Sequence, residues 1–493
     1  MAWVAIDAGT SVIKAVAFAD DGREIAVARQ RTAVLHPRID FSEQRMEDVW
    51  SAVVETVRTV MSQIEERVRG IVSTAQGDGS WLVDELGRPA GHAILWSDGR
   101  AAEIVERWRN AGVVERSFRT SGSVTYPGLP NAAFAWLEKY EPERIRRARW
   151  SLTCNGWIHA QLTGRFVADL TDASNPFSDV MRGEYSPEVL AMYEVEKYAA
   201  ILPPIAKGSH ACAPLTETAA IELGLPAGTP VVMAPYDIVS TAYGSGAAMD
   251  GQACVILGTT ICAEVITASL DLSRPPSGTT IALGDSLHLR AMPTLTGCQA
   301  LDWAATLLQV DGLLALGELA AQAQSGSGGV YFLPYLSTAG ERSPFLDPAA
   351  RGSFHGISLV TKRTQMARAV YEGLSFVIRE CLETATQGHL HEVRVCGGGA
   401  RSDLWCQMIA DVTNIAVIRS ADSEVGARGA HLFALAATGE IESIAAGVQK
   451  FVTTGTDFQP SPQAHRFYAE RFETFRKLRD LARDQWLVLA GER

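Results

Sequence analysis

The chain lacks the cysteine pattern of a metal module. Its eight Cys stand at 154, 212, 254, 262, 298, 381, 396 and 406, with no C-x-x-C pair and no histidines at zinc spacing, which excludes the common zinc sites. Most lie in apolar company, as in Ala253-Cys254-Val255-Ile256 and Val395-Cys396-Gly397. Buried free thiols in a reducing cytoplasm fit that setting. The opening MAWVAIDAGT has no basic segment followed by a long apolar stretch, so no signal peptide is expected. No run reaches the ~18 apolar residues that span a bilayer. These absences predict a soluble, cytoplasmic protein without a membrane partner.

Positive charge is also short. Lys and Arg number 44 against 56 Asp and Glu, a net charge of −12. Nucleic acid is therefore not expected as a partner, because binding a phosphate backbone needs a basic face. A single nucleotide needs only a local anion site. Neither GxxxxGK[ST] nor GxGxxG occurs in its strand-to-helix context, so the two commonest nucleotide-binding motifs are missing.

What is present is an ordinary globular composition of 493 residues, 47% hydrophobic and 20% charged, with 43 Gly and 21 Pro. Length alone implies two or three domains and a core large enough for a water-excluding site. Residues 2–6 (AWVAI) form a short apolar run ending in Asp7-Ala8-Gly9-Thr10-Ser11, and alternation then continues through VIKAVAFADDGREIAVARQ. That pattern predicts three strands with turns at Gly9-Thr10 and Asp20-Asp21-Gly22. From Met46 to about Val68 the spacing becomes helical, with Val49, Trp50, Val53, Val57 and Val60 on one face. IVSTA (71–75) then reads as a strand running into Gln76-Gly77-Asp78-Gly79.

The second half opens in the same way. Strand CVILG (254–258) ends in Gly258-Thr259-Thr260, followed by strands in CAEVITA and HLRAMPT and a helix from Cys298 to about Gln309. VRVCGG (393–398) is a strand leading into Gly399, with helix DLWCQMIADVTN behind it. The repeat is one of architecture rather than of residues. Between the halves, STAYGSGAAMDGQA (240–253) suits either a hinge or a helix packed through small residues.

Five constellations carry candidate chemistry. Asp7-Ala8-Gly9-Thr10-Ser11, with Lys14 nearby, offers backbone N–H groups and hydroxyls to a phosphate. Asp7 offers an oxygen to Mg²⁺, which prefers such ligands and keeps its waters. An ordinary hairpin turn is the plainer reading. Gly258-Thr259-Thr260 stands in the equivalent place of the second half. Gly397-Gly398-Gly399-Ala400-Arg401-Ser402-Asp403 lets a flat group lie against backbone, with Asp403 expected as a helix N-cap, or is simply a tight strand-to-helix turn. Asp237, after the apolar run VVMAP, is placed to accept a proton from an attacking hydroxyl, or merely to cap the next helix. Gln76-Gly77-Asp78-Gly79 suits a ligand with several hydroxyls, or a tight turn.

Read together and in order, these segments resemble the FGGY family of carbohydrate kinases. Gly352-Ser353-Phe354-His355-Gly356-Ile357, followed after seven residues by Gln365 to Glu372 (QMARAVYE), is similar to the family's C-terminal signature. AILWSDGRAAE (93–103), LTDASN (170–175), ALDWAATL (300–307) and FLPYLSTAGERSPFLDP (332–348) are similar to it too.

The resemblance implies an α/β fold of two ribonuclease H-like, actin-type ATPase lobes with a cleft between them. Residues 1–245 would form the N-terminal lobe and 246–493 the C-terminal lobe. It implies ATP and Mg²⁺ as cofactors and a small sugar or polyol as substrate, with Asp237 as catalytic base and a homodimer as a possible assembly. Asp7, Gly9, Thr10, Ser11 and Lys14, with Gly258, Thr259 and Thr260, would meet phosphates and metal. Gly398, Gly399, Ala400 and Asp403 would border adenine, and Gln76, Gly77 and Asp78 would read the substrate.

GERSPFLDP and LDWAATL look like xylulokinases, which usually carry Gln-Met-His-Gly where this chain has Gln76-Gly77-Asp78-Gly79. The GQGDG-like segment is similar to erythritol kinases, and Asp237 to Ala242 (DIVSTA) to kinases of L-xylulose and keto-gulonate. Arg45 after Glu43-Gln44, PNAAFAWL without a Lys, and Arg428 in a small-residue stretch depart from the family pattern. A non-catalytic sugar or nucleotide sensor and an ATPase acting on protein conformation are the competing classes.

Overall fold

The computed structural model describes residues 1–206, 212–386 and 388–490. Along the chain lie β1 (Ala2–Ala8), β2 (Val12–Ala19), β3 (Glu24–Arg31), α1 (Met46–Met61), β4 (Val68–Ala75), α2 (Cys154–Thr163), α3 (Leu170–Ala173), β5 (Cys212–Pro214), β6 (Pro230–Met233) and α4 (Asp237–Ser245). There follow β7 (Gln252–Leu257), β8 (Ile261–Thr267), α5 (Cys298–Leu307), α6 (Arg363–Ala385), β9 (Glu392–Cys396), α7 (Asp403–Thr413), β10 (Val417–Ser420), α8 (Val425–Ala437) and β11 (Thr454–Phe458), with further elements between.

The three opening strands form where alternation predicts them. The helix expected to reach about Val68 stops at Met61, because Val68 already begins β4. The helix expected to reach Gln309 stops at Leu307, and Gln309 takes a left-handed φ of 52° that no helix continues through.

The chain divides into two compact units, each assembled from separate segments. The first takes Met1–Ala248, Asp271–Leu289 and Asp422–Val452, and the second Met249–Leu270, Arg290–Ala421 and Thr453–Arg493. Among the described residues no single helix is long and apolar enough to cross a membrane.

In the first unit six strands lie in the order β5-β6-β4-β1-β2-β3. β1 runs antiparallel to β2 and parallel to β4, β4 is parallel to β6, and β6 is antiparallel to β5. Val4, Ile6 and Ala8 point into a core shared with α1 and α2, whereas Trp3 and Ala5 point into one shared with α8. A strand buried on both faces needs a continuous apolar run, which is what AWVAI supplies.

The second unit repeats the plan. Five consecutive strands of its seven-stranded sheet run β8-β7-β9-β10-β11, with β7 antiparallel to β8 and parallel to β9, β9 parallel to β10, and β10 antiparallel to β11. α6, buried along most of its length, and α7 supply the apolar cover. In both units, then, adjacent parallel strands deliver their loops to the same end of the sheet.

The small residues at 240–246 pack a helix. α4 crosses α8 so closely that a Cβ on Gly244 would lie 1.8 Å from the Val425 carbonyl oxygen, and one on Gly429 would lie 1.7 Å from that of Ser240. Arg428 does not obstruct this crossing. It turns toward the β2–β3 hairpin, donates to the Gly22 carbonyl, lies 3.3 Å from Asp422 and stacks over Phe18.

Because neither backbone can retreat without shifting its helix, Gly429→Ala is expected to destabilise the protein by about 1–3 kcal/mol or more. A melting temperature equal to that of the parent chain would contradict this contact.

Candidate active site

Three neighbouring parallel strands, β6, β4 and β1, end side by side, and their C-terminal loops carry the polar residues. β1 delivers Asp7 into the turn Gly9-Thr10-Ser11. Across the β1–β2 ladder Lys14 is the register partner of Asp7, with its Nζ 3.6 Å from Asp7 Oδ2. The same ammonium lies 3.0 Å from Glu424 Oε2, and Glu424 is held from its other oxygen by Arg29 at 2.5 Å. Burial, and then the Glu424 charge, raise the pKa of Asp7, while Lys14 pulls the other way. Burial works against the charge of Lys14, but Asp7 and Glu424 outweigh it and its pKa rises. Gly426 keeps Asp7 unobstructed, since a Cβ there would stand 3.0 Å from Asp7 Oδ2.

β4 ends at Gln76, which is buried. Gly77 packs against the Tyr236 ring, where a Cβ would meet Cδ2 at 2.3 Å. Asp78 takes a φ of 57°, and Gly79, at 72°, has no room for a side chain because the Ile94 carbonyl would lie 2.5 Å from it. One Asp78 oxygen accepts from the Tyr126 hydroxyl and the other from Asn175 Nδ2 at 2.9 Å. A tight turn and a rigidly presented carboxylate are thus the same structure.

β6 ends in Ala234-Pro235-Tyr236, and three side chains grip that backbone. Asn155 donates to the Ala234 carbonyl at 2.7 Å, Thr74 to the Pro235 carbonyl at 2.7 Å, and the Tyr236 N–H donates to Thr171 Oγ1 at 3.1 Å. Asp237 is the first residue of α4, with Tyr236 as N-cap. Asp237 keeps partial exposure, yet its pKa is pushed up to about 8. Burial is the main cause, followed by the charge of Asp7 and then that of Asp78, while the N–H groups of Ile238 and Gly77 work in the opposite direction. Behind these loops lie Asp169 and Asp172, both buried. Burial and the charge of Asp169 hold Asp172 well above the usual carboxylate range.

In the second unit β7 and β9 are adjacent and parallel. β7 ends in Gly258-Thr259-Thr260, braced by α5 through Cys298 N–H to the Gly258 carbonyl at 2.9 Å and Gln299 N–H to the Thr259 carbonyl at 3.3 Å. β9 leads into Gly397, at φ 89°, and a short 3₁₀ turn over Gly398 to Arg401. Gly398 is exposed backbone with open space above it, whereas Gly399 is buried against Trp405, Cys298 and Leu257. Asp403 was expected as the N-cap of α7. That position belongs to Ser402, whose hydroxyl accepts from the Trp405 N–H at 3.3 Å. Asp403 is exposed one residue further on and pairs with Arg419 at 2.7 Å.

The structure therefore gathers Asp7, Gln76, Gly77, Asp78 and Asp237 at one end of the first sheet. It sets Gly258 to Thr260 and Gly397 to Ala400 at one end of the second. The structure also brings to that end of the first sheet five residues that the sequence did not single out: Gln44, 2.8 Å from Gln76, Trp96, 3.0 Å from Thr10, and Tyr126, Asn175 and Glu424. Trp96 and Asn175 lie inside segments already singled out, AILWSDG and LTDASN, whereas no local signal marks Glu424.

The N-terminal domain of the FGGY family of carbohydrate kinases matches residues 2–244, and the C-terminal domain of that family matches 253–438. An erythritol kinase of Brucella abortus (strain 2308) is 31% identical over 510 residues, covering 99% of this chain and 98% of that protein. An L-xylulose/3-keto-L-gulonate kinase of Escherichia coli (strain K12) is 28% identical over 487 residues, covering 97% and 96%. Among solved structures, a xylulose kinase from Rhodospirillum rubrum superposes with a TM-score of 0.89 at 25% identity, covering 99% of this chain and 100% of that one.

The raised pKa of Asp237 has a thermodynamic consequence. A carboxyl ordinarily near 3.8 that titrates near 8 in the folded state binds its proton more tightly there than in the unfolded chain. Its contribution to stability is fully present below about pH 4 and is lost as pH rises through about 8. Asp237→Asn, which cannot ionise, is expected to melt about 2 °C or more above the parent chain at pH 8.5, with the gain vanishing near pH 4. Thermal melts across that range would refute the shift if the two proteins ran in parallel.

Proposed function

The chain belongs to the FGGY family of carbohydrate kinases and is a phosphotransferase with an alcohol group as acceptor, and we propose that it phosphorylates a small ketose or polyol of the xylulose or erythritol type with Asp237 as general base. The observation that carries this is the place of Asp237. It stands at the end of β6 beside the Gln76–Asp78 loop, with its pKa pushed up to about 8. A base does its work best when its proton affinity lies near the working pH. The named activities of the relatives, erythritol and xylulose phosphorylation among them, support the acceptor class.

The residues fit the cofactors this activity calls for. Asp7 offers Mg²⁺ an oxygen kept open by Gly426, and an oxygen donor is what that ion prefers. The uncovered backbone at Gly398 admits a flat base. When bound, MgATP supplies the transferable γ-phosphoryl group and neutralises much of its charge.

Everything else is done by the chain. Asp237 takes the proton of the acceptor hydroxyl. Gln76 and Asp78 orient the acceptor, and Tyr126 and Asn175 hold the Asp78 carboxylate so that it receives hydrogen bonds from hydroxyls. Gly9, Thr10, Ser11 and Lys14 in the first unit, and Gly258, Thr259 and Thr260 in the second, are assigned to phosphate oxygens. Gly398, Gly399, Ala400 and Asp403 are assigned to adenine. No observation favours the non-catalytic sensor.

The test is a coupled ADP-release assay with MgATP against D-xylulose, L-xylulose, D-ribulose, erythritol, ribitol, xylitol, glycerol, L-fuculose and keto-gulonate. A pentulose or polyol is expected to raise release far above the acceptor-free rate. Silence across the panel would defeat the proposed acceptor class. Asp237→Ala is expected to lower kcat by about three orders of magnitude with unchanged circular dichroism, and near-normal turnover in that variant would remove Asp237 as the base.

A further inference from the structure

A closed ring of hydrogen bonds ties the first Gly-Thr turn to the substrate-reading loop. Thr10 Oγ1 lies 2.8 Å from Gln76 Oε1, Gln76 Nε2 lies 2.8 Å from Gln44 Oε1, and Gln44 Nε2 lies 2.7 Å from the Thr10 carbonyl oxygen. Gln44 and Gln76 are both buried, at 1% and 3% exposure. Gln44 sits in a two-residue strand, Glu43–Gln44, that pairs with Ala93–Ile94. The Thr10 carbonyl also accepts from Thr32 at 2.8 Å, and Trp96 Nε1 donates to Thr10 Oγ1 at 3.0 Å.

The donors and acceptors leave only one sense in which this ring can run. A carbonyl oxygen only accepts, so Gln44 must turn its amide nitrogen to Thr10 and its oxygen to Gln76. Gln76 must then donate to Gln44 and present its own oxygen to Thr10. The Trp96 indole only donates, so Thr10 Oγ1 accepts from it, and the one hydroxyl hydrogen of Thr10 goes to Gln76.

That hydrogen is the one a phosphate needs, since phosphate oxygens only accept. Thr10 reaches a phosphate only by leaving Gln76 Oε1, a buried acceptor that is costly to strand. A hydroxyl of the acceptor molecule that donates to Gln76 Oε1 removes the cost. We propose that the Thr10–Gln76–Gln44 ring couples the two ligands, so that acceptor binding releases Thr10 for the nucleotide, with Gln44 as the positioning residue that holds Gln76 in the locked orientation. This rests on the kinase reading above, with Gln76 toward the acceptor and Thr10 toward phosphate. It gives the site a means of keeping ATP from being spent on water when no acceptor is bound.

The experiment uses the full chain. Dissociation constants of the magnesium complex of AMP-PNP are measured without and with the saturating panel acceptor of highest kcat/KM, and acceptor-free ATP hydrolysis is measured alongside. The parent protein is expected to bind the nucleotide about 5–10-fold tighter with acceptor, and the acceptor to gain the same factor from the nucleotide, because such coupling is reciprocal. Gln44→Leu, which frees Gln76, is expected to reduce the factor below about 2-fold and to raise acceptor-free hydrolysis relative to the coupled rate. Gln44→Glu still accepts from Gln76 but cannot donate to Thr10, and should fall between.

A purely structural role would lower melting temperature and kcat together and leave the coupling factor alone. An unchanged factor in folded Gln44→Leu, or no coupling in the parent protein, would overturn the proposal while leaving the kinase reading intact. If no panel acceptor is turned over, the acceptor reading fails instead. The ring is then judged by hydrolysis alone, and an unaltered rate in Gln44→Leu counts against it.

Discussion

Three carboxylates, Asp7, Asp78 and Asp237, share the C-terminal end of one sheet, and the organisation of the first unit follows from having to keep them there. Like charges in a water-poor setting raise one another's proton affinity, as Asp237 shows most clearly. The surroundings answer each charge differently. Lys14, clamped by Glu424, stands beside Asp7. Tyr126 and Asn175 bind both oxygens of Asp78. Asp237 is met by two backbone N–H groups, those of Ile238 and Gly77, and by no cation among the described residues, so its charge is the least compensated. That asymmetry sets Asp237 apart from its neighbours, and environment rather than residue type makes the distinction.

Holding these groups in place requires rigid backbone around the loops. The loop before Asp237 is gripped by Asn155, Thr74 and Thr171, and α4 behind it is wedged against α8 through glycines at 244 and 429. α8 belongs to the segment Asp422–Val452, which joins the first unit from late in the chain. That segment brings Glu424 to Lys14, Gly426 to Asp7 and Arg428 to the β2–β3 hairpin. One helix therefore tunes the charge at the end of β1, leaves Asp7 open, and packs the sheet from beneath.

The two units share a strand plan, antiparallel then parallel then parallel then antiparallel, but spend it on different loops. In the first, the parallel strands end in charged and amide side chains. In the second they end in Gly258-Thr259-Thr260 and Gly397-Gly398-Gly399, where backbone is the presented surface.

Much of this was legible in the residues. Short apolar runs at 2–6 and 254–257, each broken by a Gly-Thr turn and followed by a further strand, marked the repeated strand–turn–strand. An apolar run ending in a lone Asp marked Asp237. Such features depend on neighbours in the chain, so the sequence by itself determined the strands, their turns and the candidate base.

What tertiary structure decided depends on residues distant in sequence. That the first part of 240–253, as far as Ser245, is a packed helix turns on Val425 and Gly429, nearly two hundred positions away, where backbone contact leaves no room for a side chain. The same holds for the clamp of Glu424 on Lys14 and for the ring joining Gln44 to Thr10 and Gln76. Hydrogen bonds and charge pairs of this kind leave no periodicity behind, because each needs only one suitable atom at a few ångströms, and only the folded chain sets that distance.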